Sequence, residues 1–354
     1  MMRENIPGLQ QPVATLAAPF PWFGGKSRAA GIIWQRLGNC ANYVEPFAGS
    51  LATLLSRPHS PGVETVNDLD GFIANFWRAA ARYPDEVARY CDWPVNECDL
   101  HARHLWLIDR RAALVECLQG DPEFCDPKIA GFWVWGICAW IGGGWCSGKG
   151  PWIEHEGRMV DSRKLPHLGN AGRGVNRQLP HLGDAGHGVN RKLPHLGDAC
   201  KQNLDRHHRD YFAKLSARLR DVRVCCGDWS RVLGDSPTVH IAPVTAIVLD
   251  PPYDVEAGRK SDLYVHDAQG ISASVREWAL EHGDDPRLRI VLCGYEGEHD
   301  MPGWSEVPWK AKCGYGSQGN GQGRQNAGRE RLWFSPHCLP AMPRQSSIFD
   351  EAAA

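Results

Sequence analysis

A short apolar run that ends in an acidic, proline-rich turn constrains the fold of this chain more than any other feature. Residues 245–249 (Thr-Ala-Ile-Val-Leu) are followed by Asp250, Pro251, Pro252 and Tyr253. A β-branched run of this length predicts a buried parallel strand, and the prolines end it because they cannot donate to its ladder. The carboxyl ends of such strands border the binding crevice of α/β sheets. The sequence therefore predicts an α/β fold with Asp250 and Tyr253 at its crevice.

The residues of this turn are suited to bind the exocyclic amino group of a nucleobase. The lone pair of such an amine is delocalised into the ring, which makes the nitrogen a poor nucleophile. Asp250 and the carbonyl of Pro251 can accept its two hydrogens and draw the nitrogen toward tetrahedral geometry, while Tyr253 stacks on the base. The alternative is a structural strand followed by a proline turn, and other motifs must decide between the two.

The composition indicates a globular protein with reduced thiols. Of the 354 residues 43% are hydrophobic, and the formal net charge is −2, so a nucleic-acid partner requires a locally basic surface. The 13 cysteines form no C-x-x-C pair, which argues against a disulfide framework or a four-thiolate zinc site. The uncharged run 129–141 is too short to cross a membrane, and no export signal is evident at the N-terminus. We therefore expect a cytoplasmic protein.

A glycine pair and a lysine precede a helix that is predicted over residues 28–37. They belong to the segment Trp22-Phe23-Gly24-Gly25-Lys26. Free N–H groups and a lysine at a helix N-terminus can hold a carboxylate. A Walker phosphate loop requires glycine at position 20, where this chain has Phe20. The segment therefore predicts a carboxylate site and not a phosphate loop.

Two further strand ends carry residues that suit a nucleotide-like ligand. Residues 45–50 (Glu-Pro-Phe-Ala-Gly-Ser) lead into a helix predicted over 51–56, and their small side chains let a ligand approach the backbone. Asp68 follows a strand predicted at 64–66, where an acid can hold the hydroxyls of a ribose. The alternative is that Asp68 caps the next helix, which is predicted over 71–82.

In this order, the motifs resemble the Dam-type (D12 class) DNA adenine-N6 methyltransferase family, which uses S-adenosylmethionine. That family builds its site from a W-x-G-G-K element, an E-P-F-x-G-[GS] loop, an N-D pair and a D-P-P-Y strand. Residues 224–229 (Val-Cys-Cys-Gly-Asp-Trp) look like its third strand, whose acid and aromatic hold the cofactor adenine. The resemblance covers residues 19–90 and 222–338. It implies a Rossmann-like α/β methyltransferase sheet with an inserted, partly helical target-recognition subdomain.

The resemblance also implies an activity and its residues. The activity is methyl transfer from S-adenosylmethionine to N6 of adenine in double-stranded DNA, after base flipping and without a metal. The catalytic residues would be Asp250, Pro251, Pro252 and Tyr253. The residues that bind the cofactor would be Trp22, Gly24, Gly25, Lys26, Glu45, Pro46, Phe47, Gly49, Asp68, Asp228 and Trp229.

Three rival functions remain open at this point. Methylation of N4 of cytosine presents a similar amine, but that group more often has serine where Asp250 stands. Methylation of glutamine in proteins resembles an N-P-P-Y pattern, which Asp250 disfavours. A relative that has lost catalysis and only binds nucleic acid is less consistent with intact cofactor motifs.

The segment between the two halves of the resemblance is too long for a loop, so we expect a subdomain there. Helices are predicted over 99–119 and 128–141. The predicted division of the chain is a disordered N-terminus (1–18), a catalytic domain (19–90 and 221–338), a target-recognition insertion (91–220) and a disordered tail (339–354).

The insertion carries a basic stretch that suits DNA phosphates. A 14-residue unit repeats over 164–199, and residues 158–223 contain 14 Lys and Arg against 6 Asp and Glu, a net charge of +8. Trp145 offers a ring for an exposed base, unless it folds back onto the core. The predicted DNA-binding residues are Trp145, Lys149, Lys164, Arg173, Arg177, Arg191 and Lys192.

The C-terminal part continues the alternating pattern. It predicts a helix over 271–282, a strand over 288–293 and an antiparallel pair formed by 305–312 and 331–335. In the tail, the sequence Gln345-Ser346-Ser347-Ile348-Phe349 resembles the Q-x-[SD]-[LI]-F peptides with which bacterial replication and repair proteins dock on the sliding clamp. A chance match is the alternative. We expect the protein to work near the nucleoid of a bacterial or phage-infected cell.

Overall fold

A computed structural model of the chain describes residues 15–22, 24–140, 145–146, 152–155, 158–161, 204–253, 270–311 and 328–341. The α-helices in these ranges are α1 (Ala30–Leu37), α2 (Ala52–Leu55), α3 (Gly71–Arg82), α4 (Pro84–Cys91), α5 (Glu97–Gly120), α6 (Pro127–Ala139), α7 (Leu204–Leu219) and α8 (Ile271–His282). The strands are β1 (Asn42–Glu45), β2 (Val63–Asp68), β3 (Trp152–His155), β4 (Arg158–Asp161), β5 (Val222–Cys226), β6 (Thr245–Leu249), β7 (Leu288–Tyr295), β8 (Ser305–Pro308) and β9 (Glu330–Phe334).

Seven of the strands form one sheet in the order β5-β2-β1-β6-β7-β9-β8, and β3 pairs with β4 in a separate hairpin. Strands β5, β2, β1, β6 and β7 run parallel, whereas β9 is antiparallel to both of its neighbours. From β1 the chain moves outward to β2 and β5, and then returns to the other side of β1 as β6. Ligands of α/β sheets bind beyond the carboxyl ends of the strands at such a reversal. The predicted α/β sheet is confirmed, and its strand order predicts a crevice between β1 and β6.

Local sequence explains where several helices begin. The side chain of Asp70 accepts the N–H of Phe72 at the start of α3, and Asn96 accepts that of Asp99 at the start of α5. Asp126 accepts two N–H groups at the start of α6, whose first residue is Pro127. Short polar side chains are the preferred caps because the first N–H groups of a helix have no partner within the helix.

The helices of the inserted segment share the core of the sheet's own helices. Leu107 of α5 and Trp133 of α6 belong to the same buried hydrophobic cluster as Phe76 of α3. The rings of Phe76 and Trp133 lie 5.9 Å apart. A separate recognition subdomain over 91–220 therefore stays a prediction. The repeats at 164–199 lie outside the described residues.

A buried ionic cluster fixes the helix that leads into β5. Glu64 of β2 accepts hydrogen bonds from Arg57 at 3.0 Å and from Arg218 of α7 at 2.6 and 2.8 Å. All three side chains are nearly inaccessible. Since Arg218 reaches β2 from α7, the cluster fixes the position of α7, from which the chain enters the sheet at β5.

The chain beyond β9 is held against α1. Leu339 donates its N–H to the carbonyl of Arg36 and accepts from the Arg36 guanidinium, which attaches the start of the tail to α1. The clamp-like residues 345–349 lie outside the described residues. Within the described ranges, no helix combines the length and the hydropathy that crossing a membrane requires.

Candidate active site

The carboxyl ends of four parallel strands bring predicted site residues to one edge of the sheet. Glu45 ends β1, Asp68 ends β2 and Asp228 follows β5, while Asp250 directly follows β6. These residues belong to different strands, and the parallel order of the strands places them along one edge of the sheet. Side chains from several strands can therefore act on one ligand.

Asn67 connects the loops that follow β1 and β5. Its side-chain N–H groups donate to the carbonyl of Pro46 at 3.1 Å and to that of Gly227 at 2.9 Å. Its own backbone carbonyl accepts the N–H of Ala48 at 2.8 Å. Asn67 is 1% exposed, so these bonds are shielded from water. The residue therefore holds the two loops in a fixed relation.

Asp68 is held by backbone groups at the end of β2. Its carboxylate accepts the N–H of Gly49 at 3.0 Å and that of Asp70 at 2.9 Å. Burial raises the pKa of Asp68 to about 7, although these backbone hydrogen bonds offset part of the shift. Asp70 caps α3, so the alternative that Asp68 is the helix cap is wrong.

Gly49 occupies a position that excludes a side chain. Its φ of +44° lies in the left-handed region, and an added Cβ would lie 2.5 Å from the indole nitrogen of Trp22. Its carbonyl accepts the indole N–H of Trp77 at 3.0 Å. The loop after β1 can therefore approach Trp22 closely only because residue 49 is glycine.

Two aromatic rings border the crevice on the side of β5. The rings of Phe47 and Trp229 are nearly parallel, with centroids 6.3 Å apart and an interplanar angle of 25°. Both side chains are half-buried. Asp228 is exposed and caps the short 3₁₀ helix of Trp229 through the N–H of Ser230, at 2.9 Å. Flat apolar faces beside an exposed acid suit a purine base.

Lys26 lies beside the turn that follows β6. Its ammonium donates to Asp250 Oδ1 at 2.7 Å, to Tyr253 Oη at 2.8 Å and to the carbonyl of Gly24 at 2.6 Å. These bonds use all three hydrogens of the ammonium. Burial alone would lower the pKa of Lys26, but the charges of Asp250 and other neighbours more than offset it and raise the pKa. The structure thus brings Lys26 to the predicted catalytic residues, whereas the sequence assigns it to the cofactor.

The glycines beside Lys26 shape its turn. Gly24 has a φ of +68°, and Gly25 donates its N–H to the carbonyl of Trp22 at 3.1 Å. The turn places the carbonyl of Gly24 where it accepts a hydrogen bond from the Lys26 ammonium. The two glycines therefore help to position Lys26 through their backbone conformation.

Asp250 is partly accessible and Tyr253 is not. The Asp250 side chain is 20% exposed; burial raises its pKa, and the charge of Lys26 offsets part of that shift. Pro251 is buried and Pro252 is half-buried. Tyr253 is 5% exposed, and its ring meets that of Tyr295 edge-on at 4.7 Å. The sequence predicts that Tyr253 stacks on a base, whereas here its ring packs on Tyr295.

Glu330 joins this group, although no motif includes it. Its carboxylate accepts the hydroxyl of Tyr253 at 2.9 Å, and its side chain is 4% exposed. The one indication in the sequence is an acid directly before the run 331–335, which is largely apolar after Arg331. Such a position is ordinary for a strand end, so sequence reasoning missed it.

Glu45 faces the interior at the end of β1. It is 4% exposed and accepts the hydroxyl of Tyr43 at 2.7 Å. Burial raises the pKa of Glu45 to about 8, and the bond from Tyr43 offsets part of that rise. Pro46, which follows it, is buried. In this arrangement Glu45 organises the end of β1.

Of the predicted DNA-binding residues, only Trp145 lies within the described ranges. It is 7% exposed, donates its indole N–H to the carbonyl of Trp133 at 3.0 Å and packs on His104. This placement agrees with the alternative that Trp145 folds back onto the core. The residues outside the described ranges are Lys149, Lys164, Arg173, Arg177, Arg191 and Lys192. Among the side chains that the structure describes, no three potential metal ligands are grouped to hold an ion.

Comparison with known families supports the motif analysis. Residues 22–97 match the model of the D12 class N6 adenine-specific DNA methyltransferase family. This range includes Lys26, residues 45–50 and Asp68, and it ends before the strand that carries Asp250. The match is to the family that the motifs resemble, and the enzyme class that this family implies is an adenine-specific DNA methyltransferase. No protein of curated function matches the chain.

Proposed function

We propose that this chain transfers a methyl group from S-adenosylmethionine to N6 of a flipped adenine in double-stranded DNA. One observation carries the proposal. Asp250 lies at the reversal point of the sheet, partly accessible and paired with a buried lysine, in a chain whose N-terminal part matches the adenine methyltransferase family. A carboxylate so placed can receive the amine of a base that enters the crevice.

The residues of the crevice fit S-adenosylmethionine. Asp68 is half-buried and can accept hydrogen bonds from ribose hydroxyls with its remaining lone pairs. The rings of Phe47 and Trp229 would lie against the adenine, and the loop at Gly49 would lie close to the rest of the molecule. When bound, this cofactor supplies a methyl group on a positively charged sulfur that is already strongly electrophilic. The protein then has only to align the amine and exclude water.

Asp250 and Pro251 would orient the amine. The carboxylate accepts one N–H and the carbonyl of Pro251 accepts the other, so the nitrogen moves toward tetrahedral geometry and its lone pair is less delocalised into the ring. The two prolines fix these acceptors relative to β6, because their φ angles cannot rotate. Lys26 holds Oδ1 of Asp250 and favours its charged form. The amine would therefore hydrogen-bond to a charged Asp250 carboxylate that is held in a fixed orientation.

The base that is modified separates this proposal from its rivals. DNA from cells that express the protein would be sequenced with base-resolved detection of modification, beside DNA from cells that express the Asp250→Ala variant. We expect N6-methyladenine at a defined sequence in the first sample only. N4-methylcytosine instead would favour the cytosine-specific alternative, and no modification would favour a relative that binds DNA without catalysis.

We also propose that Gln345, Ile348 and Phe349 dock on the bacterial sliding clamp. A short segment that ends in two apolar side chains can insert them into an apolar pocket, and such a tether raises the local concentration of the enzyme on new DNA. A fluorescent peptide of residues 342–352 should bind the clamp with a dissociation constant on the order of micromolar. The same peptide with Ile348 and Phe349 changed to alanine is the control. No binding by the unaltered peptide at about 1 mM would refute docking.

A further inference from the structure

Glu330 is a buried acid that neither the motifs nor the proposed chemistry uses. It begins β9, and its backbone carbonyl accepts the N–H of Trp309 at 3.2 Å. Its side chain is 4% exposed and accepts the hydroxyl of Tyr253. A buried carboxylate is costly unless it serves a paired or hydrogen-bonded role. The role of Glu330 is therefore to be sought in its hydrogen bond with the hydroxyl of Tyr253.

The hydroxyl of Tyr253 lies among three charged groups. Its oxygen accepts from Lys26 at 2.8 Å, and its hydrogen goes to Glu330 at 2.9 Å. The carboxylate of Asp250 lies beside this hydroxyl, because Lys26 also donates to Asp250 Oδ1, at 2.7 Å. A hydroxyl has one hydrogen to donate, so it can serve only one of the two carboxylates at a time. Glu330 and Asp250 thus compete for the same hydrogen.

We propose that Glu330 is a positioning residue for methyl transfer: it holds the Tyr253 hydroxyl hydrogen away from Asp250, which leaves the Asp250 carboxylate free to accept the target amine. The inference rests on the proposed function, in which Asp250 receives that amine. Lys26 completes the arrangement because it donates to both Asp250 and Tyr253 and so keeps the two side chains beside each other.

The surroundings of Glu330 make its charge sensitive to pH near neutrality. Burial raises the pKa of Glu330 to about 7; the charge of Lys26 and the hydroxyl of Tyr253 lower it, while Asp250 and Glu298 raise it. The thiol of Cys293 on β7 also faces Lys26 and Tyr253, and burial keeps it protonated by raising its pKa. When Glu330 takes up a proton, it no longer needs the Tyr253 hydrogen. That hydrogen can then turn to Asp250, so turnover should fall below about pH 7.

Two variants of Glu330 separate these effects. Glu330→Gln keeps a carbonyl acceptor for Tyr253 but cannot ionise, and Glu330→Ala removes the acceptor. We expect Glu330→Ala to lower kcat by about 10-fold or more at pH 8 with little change in KM for the cofactor, because the loss concerns the orientation of the amine. Glu330→Gln should keep kcat at pH 8 to within about threefold and lose the fall in rate near pH 7.

Glu306→Gln is the matched control. Glu306 lies on the neighbouring strand β8 and pairs with Arg331 and Trp333, away from Tyr253. The Glu306→Gln variant should retain both the turnover rate and the pH profile of the wild type. Wild-type turnover by Glu330→Ala, or an unchanged acid limb in Glu330→Gln, would overturn the inference. No methyl transfer by the wild type would overturn the proposed function, and the inference with it.

A measurement without DNA tests the ionisation separately. A carboxyl whose pKa is about 7 in the folded protein, against an ordinary 4.5, binds a proton that the unfolded chain lacks at intermediate pH. The stability of the wild type should therefore fall as pH rises from about 5 to about 8. In thermal melts, the Tm of the wild type should fall relative to that of Glu330→Gln over this window. A constant difference would contradict the buried, titrating carboxylate on which the inference depends.

Discussion

Lys26 shows how a single buried cation connects the parts of the candidate site. Its side chain is 3% exposed, and its three hydrogens reach an acid, a phenol and a backbone carbonyl. Its nitrogen also lies 5.7 Å from the centroid of the Trp309 ring. A buried charge is tolerated only when its hydrogen bonds are complete, and removing one partner of such a pair commonly costs about 3–5 kcal/mol. We therefore expect changes at Asp250 to affect both the proposed reaction and the hydrogen bonds of Lys26.

Asp250→Ala should abolish methyl transfer while cofactor affinity stays close to that of the wild type. The loss of an oriented acceptor commonly costs a factor of about 100 to 1000 in rate. Asp250→Asn is the matched variant, because it keeps an oxygen for Lys26 and preserves the shape of the turn. Single-turnover rates with saturating DNA, together with calorimetric titration of the cofactor, separate catalysis from binding. Near-native turnover by Asp250→Ala would show that β6 does not carry the catalytic acid.

At the scale of secondary-structure elements, the sequence predicts the helices and strands whose first and last residues are determined by nearby residues. Helices α3 and α8 lie at the predicted bounds, and the antiparallel pair β8–β9 is confirmed. Helix α7 is missed because it follows the glycine-rich repeats. Its buried residues Phe212, Leu215 and Leu219 nevertheless have the spacing of one helical face.

The contacts that assemble the site could not be predicted in the same way. Asp68 and Asp250 are predictable because each follows its own strand. The contact between Lys26 and Asp250 joins residues 224 positions apart, and that between Tyr253 and Glu330 spans 77 positions. Such contacts depend on the order of strands in the sheet, which local patterns do not determine. The sequence therefore does not show that Lys26 contacts Asp250 or that Glu330 contacts Tyr253.

Gly49→Val tests the loop between β1 and α2. A side chain at φ +44° is strained, and its Cβ would meet the indole of Trp22, so the loop must move away from the crevice. We expect cofactor affinity to fall by about 10-fold or more, which corresponds to about 1.4 kcal/mol. Circular dichroism and calorimetric titration would measure fold and affinity.

Gly31→Ala is the control for this prediction. Gly31 lies in α1, where an added Cβ meets nothing within 4 Å. Alanine is favourable in a helix, so stability and affinity should stay at or slightly above those of the wild type. Equal cofactor affinity of the Gly49→Val variant and this control would show that the loop after β1 does not contact the cofactor.

At the scale of the whole molecule, charge is distributed unevenly along the chain. The net charge is −2, whereas residues 158–223 carry +8. Helices α5 and α6 share a hydrophobic cluster with α3, so the part of the chain that precedes the basic stretch packs in the same core as the sheet's helices. Binding of polyanionic DNA by a nearly neutral protein requires such a local excess of cations.

Deletion of residues 164–191, two repeat units, should weaken DNA binding and leave cofactor binding intact. The slope of log affinity against log salt should become smaller by about one for each phosphate that the shortened protein no longer neutralises. A variant of unchanged length, with Lys164, Arg173, Arg177 and Arg191 changed to glutamine, separates charge from length. If the slope of both variants equals that of the wild type, the repeats do not bind phosphates.

Mass analysis of nucleosides from DNA treated with the purified full-length protein tests adenine methylation without any contribution from a host cell. DNA without prior methylation would be incubated with S-adenosylmethionine that carries a deuterated methyl group, and then digested to nucleosides. We expect deuterated N6-methyladenosine (as the deoxynucleoside) with the wild type and none with Asp250→Ala. The label on N4 of deoxycytidine, or an equal yield from both proteins, would contradict methylation of adenine through Asp250.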